Sequence, residues 1–294
     1  MIKVVVSGAL GRVGRIIVRR VLDQKDMKLV GVIERPLHPM EGVDVGEALS
    51  IGKVGINVTG SDKLYNLLCR VKPFIIVDFS TPEATLELVK KGAKMGVNFV
   101  IGTTGHSSAQ MNEIKDTVRK HHVSAVISPN MTVTGNLLFK LAGYAARTLG
   151  EDYDIDIVEC FNRHLGKIPL PTHTSLHIAE KIAEVLGKRP NEIAIYGEEK
   201  GIHEVLDERR RGQIWFHCIR AGSGAFYGEI QCIFSGPWES LTIISRFDDA
   251  EAFAGPVMKA IRFIHERGKP GEVYDMMDVL ELKNNGNSEY TFKP

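Results

Sequence analysis

The feature that most constrains the fold is a glycine-rich turn near the N-terminus, Gly8-Ala-Leu-Gly11-Arg-Val-Gly14. An apolar, β-branched run at Lys3–Ser7 precedes the turn, and a helical pattern continues to Leu22. Glycines between a strand and a helix let the backbone bend tightly and let a phosphate approach it, while the helix N-terminus faces the phosphates. The turn therefore predicts a dinucleotide-binding βαβ unit at the start of the chain.

An acidic residue stands about twenty positions after the turn, as such units require. It is Glu34, at the end of a predicted strand Lys28–Glu34, where a carboxylate can bind ribose hydroxyls. Arg12 and Arg35 are close in sequence, and a guanidinium there can receive a 2′-phosphate. NADH and NADPH are both expected cofactors. Because the spacing is GxxGxxG rather than GxGxxG, the turn taken alone also fits a purely structural connection.

Short apolar segments alternate with helical patterns through the first 130 residues, which indicates βαβ units and a parallel sheet. Two strand ends in this region carry further polar motifs. Gly102-Thr-Thr-Gly105 follows one predicted strand, and Asp78-Phe-Ser-Thr-Pro-Glu83 follows another. Ligands of doubly wound sheets bind at the carboxyl ends of the strands, which favours a binding site here. Both motifs also fit simple connections, with Ser80 or Thr81 capping the next helix.

A different pattern follows Asn130 and predicts a second, α+β domain. Helices are expected at Gly135–Leu149 and Thr174–Leu186, with a strand at Asp154–Phe161 between them. Three longer alternating segments, separated by short turns, predict antiparallel strands that pair with one another. They are Gln213–Ile219, Gly228–Phe234 and Leu241–Phe247. A last helix, Ala250–Arg267, is expected to close the fold.

Charge and composition exclude several classes of function. Lys plus Arg number 37 and Asp plus Glu 36, so the net charge of +1 gives no overall basic surface for nucleic acid. No apolar run approaches the ~18 residues of a membrane-spanning helix. The four cysteines form no CxxC pair, and His173 and His177 have no third ligand at metal spacing, so no metal site is expected. The sequence predicts a cytoplasmic protein that acts on a small molecule.

Taken in order, the motifs resemble the dihydrodipicolinate reductase family, and the resemblance covers nearly the whole chain. The segments that carry it are the glycine turn, Val77–Glu83, Ile101–Gly105, Pro129–Val133, Asp156–Glu159, Ile219–Gly222 and Val273–Leu280. The resemblance implies an oxidoreductase that reduces a cyclic, imine-like intermediate of lysine biosynthesis with NADH or NADPH. It also implies a homotetramer built through the sheets of the second domain.

The fold implied is α/β, with a Rossmann-like parallel-sheet domain and an α+β substrate domain that has an open mixed sheet. The C-terminal helix returns to the first domain. We expect a dinucleotide-binding domain at 1–130 plus 249–294, and a substrate-binding and oligomerisation domain at 131–248. The expected cofactor-binding residues are Gly8, Gly11, Arg12, Val13, Gly14, Glu34, Arg35, Phe79, Gly102, Thr103, Thr104 and Asn130. The expected substrate-binding residues are Thr104, Arg163 and Thr172.

The chain departs from the family pattern where the reaction is expected. Phe161, Asn162 and Leu165 stand where the family has two histidines and a lysine, and Leu170-Pro171 replaces a Ser-Gly pair that holds a carboxylate. Because a phenyl ring has no proton to donate, those roles do not carry over.

Lys167 and His164, on the same loop, are the expected general acids instead. The sequence therefore predicts an NAD(P)H-dependent reductase of a small cyclic imine or dihydrodipicolinate-like acid. The alternatives are a reductase or dehydrogenase of the same fold acting on another imine or an amino-ketone, and a non-catalytic nucleotide-binding paralogue.

Overall fold

A computed structural model describes residues 1–162, 170–196, 212–222 and 227–283 of the chain. The chain divides into two compact units. One combines Met1–Met131 with Phe253–Pro294, and the other is Thr132–Ala252. No helix within the described ranges is both long and apolar enough to cross a membrane.

The first unit is built on a parallel sheet. Its strands are β1 Ile2–Ser7, β2 Met27–Glu34, β3 Val58–Gly60, β4 Ile75–Asp78, β5 Asn98–Ile101, β6 Ala125–Ile127 and β12 Val273–Tyr274. Its helices are α1 Gly14–Leu22, α2 Val45–Ala48, α3 Leu64–Val71, α4 Pro82–Ala93, α5 Ser108–Lys120, α9 Ala254–Arg267 and α10 Met276–Val279. The seven strands lie in the order β12-β6-β5-β4-β1-β2-β3, and all neighbours are parallel. The predicted Rossmann-like sheet is confirmed.

The central strand β1 explains where a ligand can bind. Val4, Val5 and Val6 are fully buried, as a strand covered on both faces by helices requires. From β1 the chain moves to β2 on one side, and it later crosses back to β4 on the other side. The loops after β1 and β4 therefore diverge at a topological switch point, where open α/β sheets bind their ligands.

The second unit is a mixed sheet with helices. Its strands are β7 Asp154–Asn162, β8 Ala194–Tyr196, β9 Ile214–Ala221, β10 Gly228–Ser235 and β11 Ser240–Phe247, and its helices are α6 Val133–Leu149, α7 His173–Val185 and α8 Pro190–Ile193. The strand order is β11-β10-β7-β9-β8. Strand β7 buries alternate residues, including Ile155 and Ile157, which are wholly inaccessible to solvent. The alternation places one face of the sheet in the core, and the predicted mixed sheet is confirmed.

One predicted pairing in this sheet is wrong. Strands β10 and β11 are antiparallel neighbours as expected, but β9 does not pair with β10. Instead β9 pairs in parallel with β7, which lies between β9 and β10. Alternation of apolar residues determines which face of a strand is buried, but it does not determine the neighbour of the strand. Strand β7, predicted from the same pattern, is the missing central partner.

Candidate cofactor and substrate site

The predicted cofactor residues meet along one edge of the first sheet. Because β1, β2, β4, β5 and β6 are parallel, their carboxyl ends share this edge. Each expected residue lies in or directly after one of these strands, in the turn of 8–14, at 34–35, at 79, at 102–104 or at 130. The structure therefore brings together residues that are more than a hundred positions apart in the sequence.

Two close approaches of the backbone require glycine in this turn. Gly8 has a φ of +69°, and a Cβ atom there would lie 2.2 Å from the carbonyl oxygen of Phe79. A Cβ at Gly14 would lie 1.9 Å from the carbonyl oxygen of Gly8. At Gly11 the nearest atom would be 3.1 Å away, so the fold tolerates a small side chain there better. Gly8 and Gly14 are needed for the turn itself, which leaves Gly11 as the position to probe ligand approach.

The N-terminus of α1 has no side-chain cap, a feature that it shares with α3 and α9. Its N-cap, Val13, makes no side-chain hydrogen bond, and its first turn has no acidic residue. In contrast, α4, α5 and α6 are capped by the hydroxyls of Thr81, Ser107 and Thr132. An uncapped N-terminus behind a glycine turn fits the pyrophosphate of a dinucleotide, because backbone N–H groups and the helix dipole favour an anion.

Glu34 has a structural contact as well as its predicted position. Its Oε1 accepts a hydrogen bond of 2.7 Å from the backbone N–H of Leu10, inside the glycine turn. The guanidinium of Arg15 donates to the carbonyl oxygens of Leu10 and Gly11, at 3.0 and 3.3 Å. Arg12 and Arg35 are exposed at the same edge. The carboxylate therefore braces the turn and stands at the place where the ribose of a dinucleotide is expected.

The loops after β4 and β5 are joined by the buried carboxylate of Asp78, which belongs to a motif noted in the sequence but was not among the expected site residues. Asp78 is completely buried and accepts hydrogen bonds from the hydroxyls of Ser80, Thr85 and Thr103. Gly102 lies under the ring of Phe79, and a Cβ there would be 2.2 Å from the ring. The signal available in the sequence was a carboxylate at a strand end, with hydroxyl residues in the same loop and the next.

Three further predicted residues of this unit differ in exposure. Thr103 is buried and its hydroxyl is engaged by Asp78, whereas Thr104 is half-buried. Asn130 is buried, and its carbonyl oxygen accepts a hydrogen bond of 2.7 Å from the hydroxyl of Ser128. Of the two threonines in this loop, Thr104 is the more exposed.

In the second unit, Glu159 organises the entry to α7. This fully buried carboxylate accepts hydrogen bonds from the backbone N–H of Thr172, at 2.9 and 3.1 Å, and from the hydroxyls of Thr172 and Ser175. Thr172 also caps α7. Since both its N–H and its hydroxyl are engaged by Glu159, a substrate contact by either group of Thr172 requires one of these bonds to exchange.

The thiol of Cys218 lies beside the same carboxylate, with Sγ 3.8 Å from Oε2 of Glu159. Burial and the charge of Glu159 raise the pKa of the Cys218 thiol to about 11. The thiol is therefore protonated at neutral pH and does not act as a thiolate nucleophile.

Phe161 faces the core at the end of β7. The residue is 5% exposed, and its ring contacts that of Phe247 with centroids 6.2 Å apart. A Cβ at Gly228 would lie 2.5 Å from the Phe161 ring, so the ring occupies the space above that glycine. The position thus supplies packing and no proton.

The remaining predicted catalytic and substrate residues, Arg163, His164 and Lys167, lie outside the described residues. Within the described ranges, no three His, Cys, Asp or Glu side chains come together as a metal site.

The switch-point turn, the uncapped helix and the carboxylate at the end of β2 together define a dinucleotide-binding fold of the Rossmann type. Comparison with known proteins identifies the family. The descriptions "Dihydrodipicolinate reductase, N-terminus" and "Dihydrodipicolinate reductase, C-terminus" match residues 2–131 and 135–280. The chain belongs to the dihydrodipicolinate reductase family and, like its members, is an NAD(P)-dependent oxidoreductase, as predicted.

Individual relatives cover almost the full length. The chain is 40% identical to the 4-hydroxy-tetrahydrodipicolinate reductase of Methanothermobacter thermautotrophicus, over 96% of this chain and 100% of the relative. It is 39% identical to the enzyme of that name from Methanocaldococcus jannaschii, over 96% and 98%. A solved structure of dipicolinate-bound dihydrodipicolinate reductase from Paenisporosarcina sp. TG-14 aligns with a TM-score of 0.71, at 23% identity, over 95% of this chain and 98% of that one. The last likeness confirms the fold.

Proposed function

We propose that this chain reduces 4-hydroxy-tetrahydrodipicolinate, with NADH or NADPH as the hydride donor. The observation that carries the proposal is the glycine turn at the switch point, in a chain that matches reductases of that name over nearly its full length. The bound nicotinamide supplies the hydride, and the chain supplies binding, orientation and one proton.

The expected cofactor residues have distinct tasks. The turn from Gly8 to Gly14 and the N-terminus of α1 hold the pyrophosphate. Glu34 binds the adenosine ribose, and Arg12 and Arg35 attract the 2′-phosphate of NADPH. Phe79, the Gly102–Thr104 loop and Asn130 hold the rest of the cofactor at the carboxyl edge, where the half-buried Thr104 also contacts the substrate.

The proton comes from Lys167, with His164 as the second candidate. Phe161 cannot donate, and Lys167 is an ammonium two positions after Leu165, which matches the lysine position of the family. The charge of Lys167 and the guanidinium of Arg163 also suit the carboxylates of a dicarboxylic substrate. Thr172 anchors the end of this loop through Glu159.

The decisive assay is NADH or NADPH oxidation with freshly generated 4-hydroxy-tetrahydrodipicolinate, beside a fluorescence titration of each cofactor. Turnover that depends on the substrate supports the proposal. Turnover with other cyclic imines or amino-ketones, but not with this acid, would assign the chain to a different substrate. Cofactor binding without turnover of any imine or amino-ketone would contradict the proposal.

We also propose a cytoplasmic homotetramer formed through the sheet of the second unit. Helix α6 packs on β10 and β11 from one side, where Ser245 bonds Thr134. On the opposite side, Ile219 and Ile244 are 49% and 55% exposed. A second copy of the chain would bury this surface. Light scattering of the purified protein measures the assembly, and a monomer at micromolar concentration would contradict it.

The cytoplasmic location is supported by the use of reduced nicotinamide cofactors in lysine biosynthesis. Cell fractionation tests it.

A further inference from the structure

Asp78 at the end of β4 has three hydroxyl donors from three different segments. Ser80 of the following loop donates to Oδ1 at 2.6 Å. Thr85 of α4 and Thr103 of the loop after β5 donate to Oδ2, at 2.5 and 2.7 Å. The carboxylate has no exposure to solvent and takes no part in the chemistry proposed above. A buried charge is tolerated only when such bonds compensate its desolvation, so all three donors are held firmly.

The bond from Thr103 connects two loops of the cofactor edge. Its hydroxyl donates to Asp78 and accepts a hydrogen bond of 2.8 Å from the backbone N–H of Ser80. The hydroxyl oxygen of Thr103 thereby attaches the loop after β5 to the loop after β4, beside a backbone bond of 3.0 Å from the N–H of Gly102 to the carbonyl oxygen of Asp78. Because the hydroxyl of Thr103 donates its proton to the carboxylate, a lone pair of the hydroxyl oxygen is directed to the N–H of Ser80.

Phe79 lies between Asp78 and Ser80, and both of its sides contact glycines of the cofactor edge. Its carbonyl oxygen is at the place that a Cβ of Gly8 would fill, and its ring covers Gly102. Its N–H donates to the carbonyl oxygen of Ser7 at 3.1 Å. Phe79 therefore contacts the glycine turn through its carbonyl oxygen and the Gly102–Gly105 loop through its ring.

We propose that Asp78 is a positioning residue for the cofactor. Through Thr103 and Ser80 it fixes Phe79, and Phe79 keeps the glycine turn and the Gly102–Gly105 loop at the separation that the dinucleotide requires. The inference rests on the proposed function, since it assumes that both loops contact the cofactor. Asp78 itself touches no reacting atom.

The substitution Asp78→Asn tests the proposal, because an amide has only one acceptor atom. Either Ser80 loses its acceptor at the Oδ1 position, or Thr85 and Thr103 both lose theirs at the Oδ2 position, so a bond of Ser80 or of Thr103 is lost in both cases. Thr85→Val is the matched control. It removes a buried hydroxyl bond to the same carboxylate oxygen, but Thr85 lies on α4 and takes no part in the link between the loops. If the carboxylate of Asp78 only stabilises the fold, the two variants should have the same affinity for NADH when they lose the same amount of Tm.

We expect Asp78→Asn to raise the Kd and the KM for NADH about tenfold, with kcat at saturating NADH reduced less than about threefold. Thr85→Val should lower Tm and leave the Kd within about twofold of the wild-type value. An Asp78→Asn protein that binds NADH as the wild type does would overturn the positioning role. A Thr85→Val protein that loses as much affinity for NADH as Asp78→Asn, at the same Tm, would also overturn it.

If Asp78→Asn does not fold, Thr103→Val and Thr103→Ser replace it, with hydrogen exchange of the Ser80 amide measured in the absence of cofactor. The serine keeps both hydrogen bonds, so only the valine should accelerate exchange and weaken NADH binding. Equal exchange and equal affinity in the two variants would contradict the role of the hydroxyl. A wild-type chain that binds neither NADH nor NADPH is a different result, because it removes the proposed function itself and the positioning role with it.

Discussion

Strands β4 and β7 end in similar constructions in the two units. Asp78 is the last residue of β4, Glu159 lies near the end of β7, and both carboxylates are fully buried. Each accepts hydrogen bonds from hydroxyls of the helix that follows its strand, Thr85 in α4 and Ser175 in α7. In each unit a buried charge thus joins a strand end to the next helix.

The surroundings of the two carboxylates differ. Around Asp78, the glycine turn and the Gly102–Gly105 loop have the residues that the family resemblance requires of a cofactor edge. Two positions beyond Glu159, the family pattern expects a histidine, and the chain has Phe161 packed into the core. Within β7 the buried Glu159 holds Thr172, whereas Phe161, two positions later, packs in the core and has no proton to donate. A buried carboxylate near a strand end therefore does not by itself mark a reactive side chain beside it.

The largest expected effect tests the cofactor side of this comparison. Gly11→Val should raise the Kd for NADH more than about hundredfold, because the branched side chain occupies the approach of the pyrophosphate. Gly255→Ala on α9 is the control, since a Cβ there meets nothing within 4 Å. Fluorescence titration gives both affinities, and circular dichroism verifies the fold. A Gly11→Val protein with wild-type affinity would show that the turn is only a structural connection.

The second prediction tests the altered loop. Lys167→Met should lower kcat about hundredfold and leave the Kd for NADH unchanged, as expected for the loss of a general acid. Lys188→Met serves as the control, because Lys188 pairs with Glu151 at 2.8 Å on the surface of the second unit. Steady-state kinetics with the freshly generated substrate gives the result. If Lys167→Met turns over at the wild-type rate, another donor such as His164 supplies the proton.

A third prediction asks whether Glu159 supports the second unit as strongly as its contacts indicate. Glu159→Gln should reduce the free energy of unfolding by roughly 2–3 kcal/mol, because bonds to a buried charge are replaced by bonds to an amide. Glu180→Gln, which removes the exposed pair with His177, should cost less than about 1 kcal/mol. Denaturant titration compares the two. Equal losses would mean that Glu159 is no more important than a surface ion pair.

Much of the fold could be predicted because its signals are local. The long strands and helices have the periods of apolar residues that two-faced burial or one-faced packing produces. Three elements between Arg35 and Pro73 were not predicted. One is the eight-residue helix α3, although its buried Leu64, Leu67 and Leu68 have helical spacing; the others, α2 and β3, have only four and three residues. The segment of α2 and β3 is organised by Asp44, which accepts hydrogen bonds from backbone N–H groups of Gly46, Glu47, Val54, Gly55 and Ile56. Hydrogen bonds to the backbone leave no period in the sequence.

Some signals of the candidate site are also local in the sequence. Glycines and an acidic residue at fixed spacing indicate a nucleotide because the requirement is local. The parallel pairing of β7 with β9 and the donors of Asp78 and Glu159 depend on residues that only the folded chain brings together. Family resemblance indicated the reaction, but it could not assign a proton donor at a position occupied by Phe161.

The smallest expected effect concerns the choice of cofactor, and it tests the roles of Glu34 and Arg35 in the first unit. Glu34→Ala should shift the preference from NADH toward NADPH by about 1 kcal/mol, roughly fivefold, since a bond to the ribose and a charge that repels the 2′-phosphate are both lost. Arg35→Ala should shift the preference in the opposite direction. The ratio of the two Kd values, measured by fluorescence, is the readout.

Glu34→Gln separates the two tasks of this residue. Its amide oxygen can still accept from the N–H of Leu10, so the turn remains braced while the charge is removed. If the glutamine and alanine variants show the same altered ratio, the charge of Glu34 determines cofactor choice. If the ratio is unchanged in both and only the alanine variant binds every nucleotide less tightly, Glu34 acts on the turn alone and the ribose is bound elsewhere.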